Sequence, residues 1–464
     1  MKRYLFLLII FSVLAASSCT NSSAASPTPD IAEEPQAEEY EYVEPEPEPE
    51  SYEGEYEEAY EQEYEEEVII IREFPHLFIE VDENPFYERN VWQDGTLSLI
   101  NIDDENALSL VPARIRGRGN STWWMGEDKR PLRIRFSEPR TMMGSAHAAT
   151  DWILLANHFD QSLLRNYSAL HFARYSNRAM HYVPMVYFVH VYINGEYFGL
   201  YNLTDERDVN EGRMRLTADE NPEISDYFLQ LDFRQYQSGV ENEDFVEVNE
   251  HLYQIRYPNR LTPAHVDYVK NYLYSVSNAL REQDDEVFSL INLASWVDFY
   301  IVQELFKNKD IYQASVFMHI SGQGEDRRLY MGPVWDFDLS AGNMASQYMG
   351  TGPEGLYVAV INYWFKNLIE MPIFYYAVVN RWNELSREER IPQQTVEHIA
   401  YLVEAYLEEF ERNFVRHPIP DTFMEFNPPE IYEIGDNFMG HAEHLINWLE
   451  ARIAYMNRYF RIPR

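Results

Sequence analysis

One acidic segment limits how much of this chain can fold. Residues 30–67 hold nineteen Asp or Glu and no Lys or Arg, and so supply nearly half of the formal net charge of −40. Such a segment buries too little apolar surface to offset the entropy lost on ordering, so residues 20–67 are predicted to form a disordered acidic stalk. The folded domain is expected over residues 68–464. Nucleic acid is not expected as a partner, because neutralising its phosphates needs a basic surface.

Residues 1–19 have the pattern of an export signal. Lys2 and Arg3 precede a short apolar run at residues 4–14, which is too short to span a bilayer. The run ASSC at 16–19 resembles a bacterial lipobox, and Cys19 is the sole cysteine. We therefore predict a lipoprotein signal peptide, lipidation at Cys19, and an extracytoplasmic protein held at the membrane by that lipid alone. An ordinary cleaved signal peptide is the alternative.

Beyond the stalk, hydrophobic periodicity predicts an α+β domain with a strand-rich N-terminal half and a mostly helical C-terminal half. Asn194-Gly195 lies between two apolar alternating runs and predicts a two-residue hairpin turn. Strands are predicted at residues 68–71, 77–81, 113–116, 132–136, 185–193, 197–203, 315–320 and 329–334. Helices are predicted at residues 162–174, 263–280, 290–306, 394–414 and 437–459.

A glycine-containing basic segment, RGRGNSTW at 116–123, follows one predicted strand. Glycines allow backbone N–H groups to approach an anion closely, while Arg116, Arg118, Asn120 and Ser121 supply further donors for phosphate oxygens. A glycine hairpin with solvated arginines is the alternative. The segment differs from a Walker loop, which requires GKS or GKT.

The next strand, KRPLRIRF at 129–136, alternates basic and apolar residues. A period of two places Arg133 and Arg135 on one face and the apolar residues on the other. Such a strand supplies a cation for phosphate, or it is a basic edge strand that deters aggregation.

Carboxylates follow two later elements. Asp310 comes after a predicted apolar helix, and Asp336 and Asp338 follow a predicted strand. Two carboxylates one residue apart repel each other unless a cation such as Mg²⁺ or hydrogen bonds offset the repulsion. A structural Asp-x-Asp turn is the alternative. In order, the anion loop, the cationic strand, the helix, the first Asp and the Asp-Phe-Asp segment follow the part order of a protein kinase.

The same residues resemble the CotH family, named for spore coat protein H, whose members have an atypical protein-kinase-like fold and transfer phosphate from ATP to protein. The resemblance covers most of residues 75–460 and rests on six collinear motifs: RGRGNSTW (116–123), KRPLRIRF (129–136), WILLANHFDQSLLRN (152–166), VHVYINGEYFGLYNLTDE (189–206), NKDIYQAS (308–315) and GPVWDFDLSAGN (332–343).

This resemblance implies a role for each matching residue. Asp310 resembles the catalytic carboxylate that positions the acceptor hydroxyl, and Asp336 resembles a metal-binding Asp, with Asp338 as a second ligand or support. Arg118, Asn120 and Ser121 are expected at the nucleotide phosphates. Residues 203–206, which include Glu206, are expected near the adenine. ATP with Mg²⁺ or Mn²⁺ and a protein substrate on the cell surface or spore coat are the implied partners.

Two positions depart from the kinase pattern. Ser315 stands where a kinase has an Asn metal ligand, which leaves Asn308 or Asp338 to complete the metal shell. The phosphate-pairing Lys corresponds to Arg135, with Lys129 as the alternative.

Two non-kinase functions stay open. The first is a surface adhesin or an envelope or spore-coat assembly protein on a kinase-like fold, which exposed Trp123 and Trp124 would suit. The second is a zinc hydrolase, although the thirteen histidines include no HExxH and His441 and His444 are expected on a helix surface. The presence of Asp310, Asp336 and Asp338 together favours catalysis or metal-nucleotide binding.

Overall fold

The computed structural model describes residues 73–82, 88–126, 129–232, 244–312, 314–344, 351–419 and 426–461. The predicted signal peptide, Cys19, the stalk and the strand predicted at 68–71 lie outside these residues. No helix of the described residues is long and apolar enough to cross a membrane.

Seven strands form a closed barrel in the order β1-β2-β3-β4-β5-β7-β6. Its strands are β1 His76–Val81, β2 Gln93–Ile100, β3 Leu108–Gly117, β4 Leu132–Arg140, β5 Ala149–Leu155, β6 Val186–Ile193 and β7 Glu196–Asp205. All neighbours are antiparallel except β1 and β6, whose parallel pairing closes the barrel with Leu77 opposite Val191. Inward-facing apolar side chains such as Ile79, Ile134 and Trp152 fill the interior.

A second sheet, antiparallel throughout, has the order β12-β11-β8-β10-β9. Its strands are β8 Tyr227–Leu231, β9 Phe245–Val248, β10 His251–Tyr257, β11 Val316–Ser321 and β12 Arg328–Met331. In this sheet Gln254 of β10 pairs with Gln230 of β8. The pairing brings together two segments that are separated along the chain.

The helices include two before β8 and ten after β10. They are α1 Ser121–Met125, α2 Arg165–Ser176, α3 Pro263–Glu282, α4 Val287–Leu290, α5 Leu293–Phe306, α6 Val358–Ile361, α7 Tyr363–Leu368, α8 Pro372–Asn383, α9 Ile391–Ala405, α10 Leu407–Arg416, α11 Pro429–Glu433 and α12 Phe438–Tyr459. Single turns of 3-10 helix lie at Lys309–Tyr312 and Gly324–Asp326, and a π-helical turn lies at Glu384–Glu388.

Helix α5 is the central helix of the C-terminal part. Twelve of its fourteen residues are buried, so the helix lies inside the protein and its polar side chains need partners there. Its buried Glu304 carboxylate accepts hydrogen bonds from the backbone N–H groups of Tyr357 at 2.6 Å and Val358 at 2.8 Å, and from Arg452 at 2.6 Å. Glu304 therefore joins α5 to the start of α6 and to α12.

The predicted α+β content is confirmed, and so is the alternation of β4, where Leu132, Ile134 and Phe136 are buried and Arg133 and Arg135 are partly exposed. The prediction of one continuous helix at 394–414 is wrong. The segment forms two helices, α9 and α10, separated at Tyr406, which has φ −126° and ψ 28°. The helix predicted at 162–174 begins later, at Arg165.

Candidate active site

The candidate site is a cavity of about 610 Å³. Its lining holds six Lys or Arg and four Asp, an excess of cations in a chain whose net charge is −40. The lining residues are Arg89, Asn90, Arg116, Arg118, Gly119, Asn120, Ser121, Thr122, Phe159, Arg207, Gln230, Asp232, Arg256, Lys309, Asp310, Ala314, Ser315, Trp335, Asp336, Asp338, Leu339 and Phe426.

The loop between β3 and α1 forms one wall of this cavity. Gly119 has φ +88°, a left-handed conformation that favours glycine, and a Cβ there would lie 2.6 Å from the Thr122 hydroxyl. The Arg118 N–H donates to the Pro131 carbonyl at 3.0 Å, and Arg89 donates to the Gly119 carbonyl at 2.9 Å. These contacts fix a turn whose polar groups border the cavity.

A group of arginines surrounds the buried Glu206 behind this wall. Arg133 lies 3.1 Å from one carboxylate oxygen and Arg207 lies 3.1 Å from the other. Although burial opposes it, these arginines together with Arg256 and Arg118 hold the pKa of Glu206 well below its usual range. The charge of Glu206 thereby holds several guanidinium groups close together, which would otherwise repel one another.

Arg118 and Arg256 are the most strongly perturbed members of this group. Burial lowers the pKa of Arg118 to about 10, and the charge of Arg207 acts in the same direction. The pKa of Arg256 is also lowered to about 10, by burial and by Arg207. Arg207 itself stacks over Trp335, 4.0 Å from the ring centroid. This crowding of cations fits a ligand of high negative charge, because a polyanion would relieve their mutual repulsion.

The opposite wall carries three carboxylates. Asp310 lies in the 3-10 turn after α5, and its N–H donates to the Asn308 side-chain oxygen at 3.2 Å. Asp336 has φ +69°, and its Oδ2 accepts a hydrogen bond from the Ser315 hydroxyl at 2.7 Å. The Phe337 N–H donates to Asn166 at 2.7 Å, which holds the Asp-Phe-Asp segment against α2.

Electrostatics show that these carboxylates lie near one another. Burial raises the pKa of Asp338 well above its usual range, and the charges of Asp336, Asp310 and Asp160 raise it further. Carboxylate oxygens are the ligands that Mg²⁺ and Mn²⁺ prefer, and a bound divalent cation would offset the repulsion among these side chains. The donor set therefore fits a divalent metal beside a phosphate ligand.

The structure brings most of the predicted site residues to this cavity. Those that line it are Arg116, Arg118, Asn120, Ser121, Asp310, Asp336 and Asp338. Asn308 and Glu206 are buried and support lining residues instead. Arg135 points elsewhere: its guanidinium donates to Asp151 at 2.9 Å and lies over Trp92. Lys129 borders a different cavity.

Sequence reasoning missed Arg207, Gln230, Asp232 and Arg256. Arg207 follows β7 directly after Glu206, whereas Gln230, Asp232 and Arg256 lie on or beside β8 and β10, where Arg256 donates to the Gln230 side chain at 2.8 Å. No signal in the sequence marks Arg256, because no strand is predicted around it and its partner Gln230 is 26 residues away in the chain.

Three surface predictions can be compared with the structure. Trp124 is 69% exposed, as expected, whereas the prediction for Trp123 is wrong: its ring is buried against Gly117, where a Cβ would lie 2.0 Å from the ring. The prediction for His441 is also wrong, since its side chain is buried and bonds to the Gly435 carbonyl at 3.0 Å.

Among the described residues, one group of three His or carboxylate side chains has ligand atoms that all lie within 4.8 Å of one another: His76, His190 and Glu409. Both ring nitrogens of His190 already have partners, Tyr197 and Glu409, each at 2.8 Å. Burial lowers the pKa of His190 to about 3, and the nearby Arg412 charge contributes. A neighbouring guanidinium disfavours a bound cation, so these residues form a hydrogen-bonded network between the barrel and α10.

Comparison with known proteins agrees with this geometry. No curated protein matches the chain. The model of the family described as CotH kinase protein matches residues 114–456. Because this match spans most of the chain and includes every predicted site residue from Arg116 to Asp338, the chain belongs to the CotH kinase protein family.

Proposed function

We propose that the protein is an extracytoplasmic phosphotransferase that moves the γ-phosphate of ATP to a hydroxyl group of a protein, with Mg²⁺ or Mn²⁺. The observation that carries this proposal is that a cationic glycine loop and the carboxylates Asp310, Asp336 and Asp338 line one and the same cavity. A kinase-like arrangement of the domain belongs to the same proposal, since the strand-rich part supplies the loop and the helix-rich part supplies the carboxylates.

Each wall has a distinct role in this mechanism. Arg118, Asn120 and Ser121 would bind phosphate oxygens, and Arg116, Arg207 and Arg256 add positive charge on the same side. Asp336 and Asp338 would hold the divalent metal. That metal would neutralise the charge of the phosphates and polarise the γ-phosphoryl group.

Asp310 is the proposed catalytic carboxylate. It would accept a hydrogen bond from the acceptor hydroxyl and take its proton as the oxygen forms a bond to the γ-phosphorus. The bond from that phosphorus to the bridging oxygen breaks, and the electron pair leaves with ADP. Asn308 acts as a positioning residue, because its side-chain oxygen accepts the Asp310 N–H.

The location and partners form part of the proposal. Lipidation at Cys19 would attach the protein to the outside of the cell membrane, and the acidic stalk would hold the domain away from it. The acceptor would then be a Ser, Thr or Tyr of a protein on the cell surface or spore coat.

A calorimetric titration of ATP, with and without Mn²⁺, together with a phosphate-transfer assay, tests this function. We expect metal-dependent binding and transfer in the unmodified protein and neither in Asp336→Asn. Asp310→Asn is expected to keep nucleotide binding but lose transfer by about 10²- to 10⁴-fold. Asp326→Asn, on an exposed turn, is the matched control. Absence of nucleotide binding in the unmodified protein would contradict the proposal and favour a non-catalytic surface adhesin or coat assembly protein.

A further inference from the structure

A second cavity of about 290 Å³ lies between the barrel and the region around α10. No Asp or Glu is among its described lining residues, although acidic residues outnumber basic ones by 77 to 37 in the chain. Its lining residues are Met125, Lys129, Asn157, His158, Gln161, Leu163, Asn413, Phe414, Arg416, His417 and Pro418. Two cations, two histidines and three amides thus surround a space without a carboxylate.

Lys129 is the central group of this cavity. The residue is only 4% exposed, and its Nζ atom makes no hydrogen bond within the described structure. Its one interaction with an aromatic ring is with Tyr201, whose centroid lies 5.3 Å from Nζ. A buried ammonium group without a hydrogen-bond acceptor is unfavourable, so a ligand that supplies one would be strongly preferred.

Gly199 keeps the space beside Lys129 open. It has φ +126°, and a Cβ at this position would lie 3.1 Å from Cε of Lys129, 3.1 Å from Oδ1 of Asn413 and 3.2 Å from Cδ2 of His417. These three side chains therefore meet around one point, and any other residue at 199 would crowd them. The Asn413 oxygen accepts the Leu200 N–H at 3.1 Å, and His417 bonds to the Phe198 carbonyl at 2.8 Å, which fixes both side chains.

The nearest carboxylate does not neutralise Lys129. Burial lowers the pKa of the Lys129 ammonium to about 7, and the charge of Asp160 opposes this only in part. The Asp160 carboxylate is itself bonded to Arg165 at 2.5 Å and to the Ser162 hydroxyl at 2.6 Å. Among the described residues, the ammonium group therefore has no carboxylate paired with it.

We propose that this cavity binds a small oxyanion, a carboxylate or a phosphate, with Lys129 as the buried charged anchor and Arg416 at the exposed rim. An oxyanion would accept hydrogen bonds from the ammonium group and gain from the other donors of the lining. This site is separate from the nucleotide cavity and does not depend on phosphotransfer.

The direct test observes the Lys129 side chain. The full chain is labelled with ¹⁵N-lysine, and the Nζ resonance of Lys129, assigned from Lys129→Met, is titrated with pH at constant ionic strength. We expect inorganic phosphate or acetate to raise the pKa of this ammonium group by at least about one unit relative to chloride, because the bound anion favours the charged form. Whichever probe acts identifies the ligand as phosphate or carboxylate.

Binding affinity supplies an independent readout. In calorimetry, the effective probe should bind at least about tenfold more weakly to Lys129→Met and to Arg416→Gln, as expected for loss of a charged hydrogen-bond partner. Lys270→Met, exposed on α3, should bind as the unmodified chain does. Arg118→Met serves as a background in which phosphate binding by the nucleotide cavity is weakened. An ammonium pKa that neither probe shifts, or equal binding by Arg416→Gln and the unmodified chain, overturns the proposal even if Lys129→Met fails to fold.

Discussion

The Ser315 hydroxyl lies 2.7 Å from Oδ2 of Asp336 and donates a hydrogen bond to it. Both residues have a left-handed backbone, with φ +53° and +69°, a conformation uncommon outside glycine. Ser315 stands where the kinase pattern has an Asn ligand, and we expect its contact to orient the carboxylate of Asp336, the proposed metal ligand.

Ser315→Ala should weaken metal binding. Removal of a side chain that orients a ligand lowers metal affinity by about 10- to 100-fold in other sites, and we expect a loss in that range for Mn²⁺ in the presence of nucleotide. Calorimetry measures the affinity. Ser289→Ala, at an exposed position of α4, removes a hydroxyl that does not line the cavity and should have no effect. Equal Mn²⁺ affinity in both variants would show that Ser315 does not orient Asp336.

Arg118→Met should weaken nucleotide binding. The change keeps the length of the side chain but removes a cation that lines the cavity between the glycine loop and Trp335. A hydrogen bond to a charged group is worth about 1.5–3 kcal/mol, so we expect ATP affinity to fall at least about tenfold. The control is Arg215→Met, which lies on the surface. If both variants bind ATP as the unmodified chain does, Arg118 does not contact the phosphates.

Glu304→Gln should destabilise the fold. Glu304 and Arg452 are fully buried with 2.6 Å between their charged atoms, and loss of one partner of such a pair costs about 3–5 kcal/mol. Glu354→Gln is the matched control, because its pair with Arg458 is exposed and should contribute at most about 1 kcal/mol. Urea unfolding measures both free energies. Similar losses in the two variants would mean that burial of the Glu304 pair confers no special stability.

Acid should destabilise the protein in part through His171. Burial lowers the pKa of His171 to about 3, with contributions from His398 and Arg174, and its Nδ1 has no hydrogen-bond partner. Between pH 6.5 and about 3 the unfolded chain thus binds a proton that the native chain does not, so stability falls as pH falls through this window. A difference of one bound proton changes the free energy of unfolding by about 1.4 kcal/mol per pH unit.

His171→Phe keeps the stacking on His398, whose ring centroid lies 4.4 Å away, but removes this titration. Urea unfolding from pH 6.5 to 4.5 should show a smaller loss of stability in the variant than in the unmodified chain. An unchanged slope would mean that His171 is protonated in the native state.

Local patterns predicted the features that depend on near neighbours in the chain. Asn194 and Gly195 have φ +49° and +80° and connect β6 to β7 as the Asn-Gly signal indicated. The start of α12 after Asn437 was also predictable, because the Asn side chain accepts the Met439 N–H. In both cases the signal and the structure lie within a few residues of each other.

Features that depend on distant pairing could not be predicted in the same way. Closure of the barrel pairs Leu77 with Val191, more than a hundred residues apart, and no spacing in the sequence specifies that partner. The candidate site likewise contains residues that were predicted from local patterns and residues that were not. Its carboxylates follow recognisable elements, whereas Arg256 reaches the cavity through its contact with Gln230 on a separate strand. Lys129 could not be assigned to either cavity before the packing of α10 was known.

The parallel pairing of β1 with β6 means that the folded barrel begins earlier in the chain than the segment that matches the family. The family match begins at residue 114, within β3, whereas β1 and β2 lie before it and complete the barrel. A protein expressed from residue 114 onward would keep every predicted catalytic residue yet leave the edges of β3 and β6 unpaired. Such open edges recruit strands from other molecules, so this truncation should aggregate.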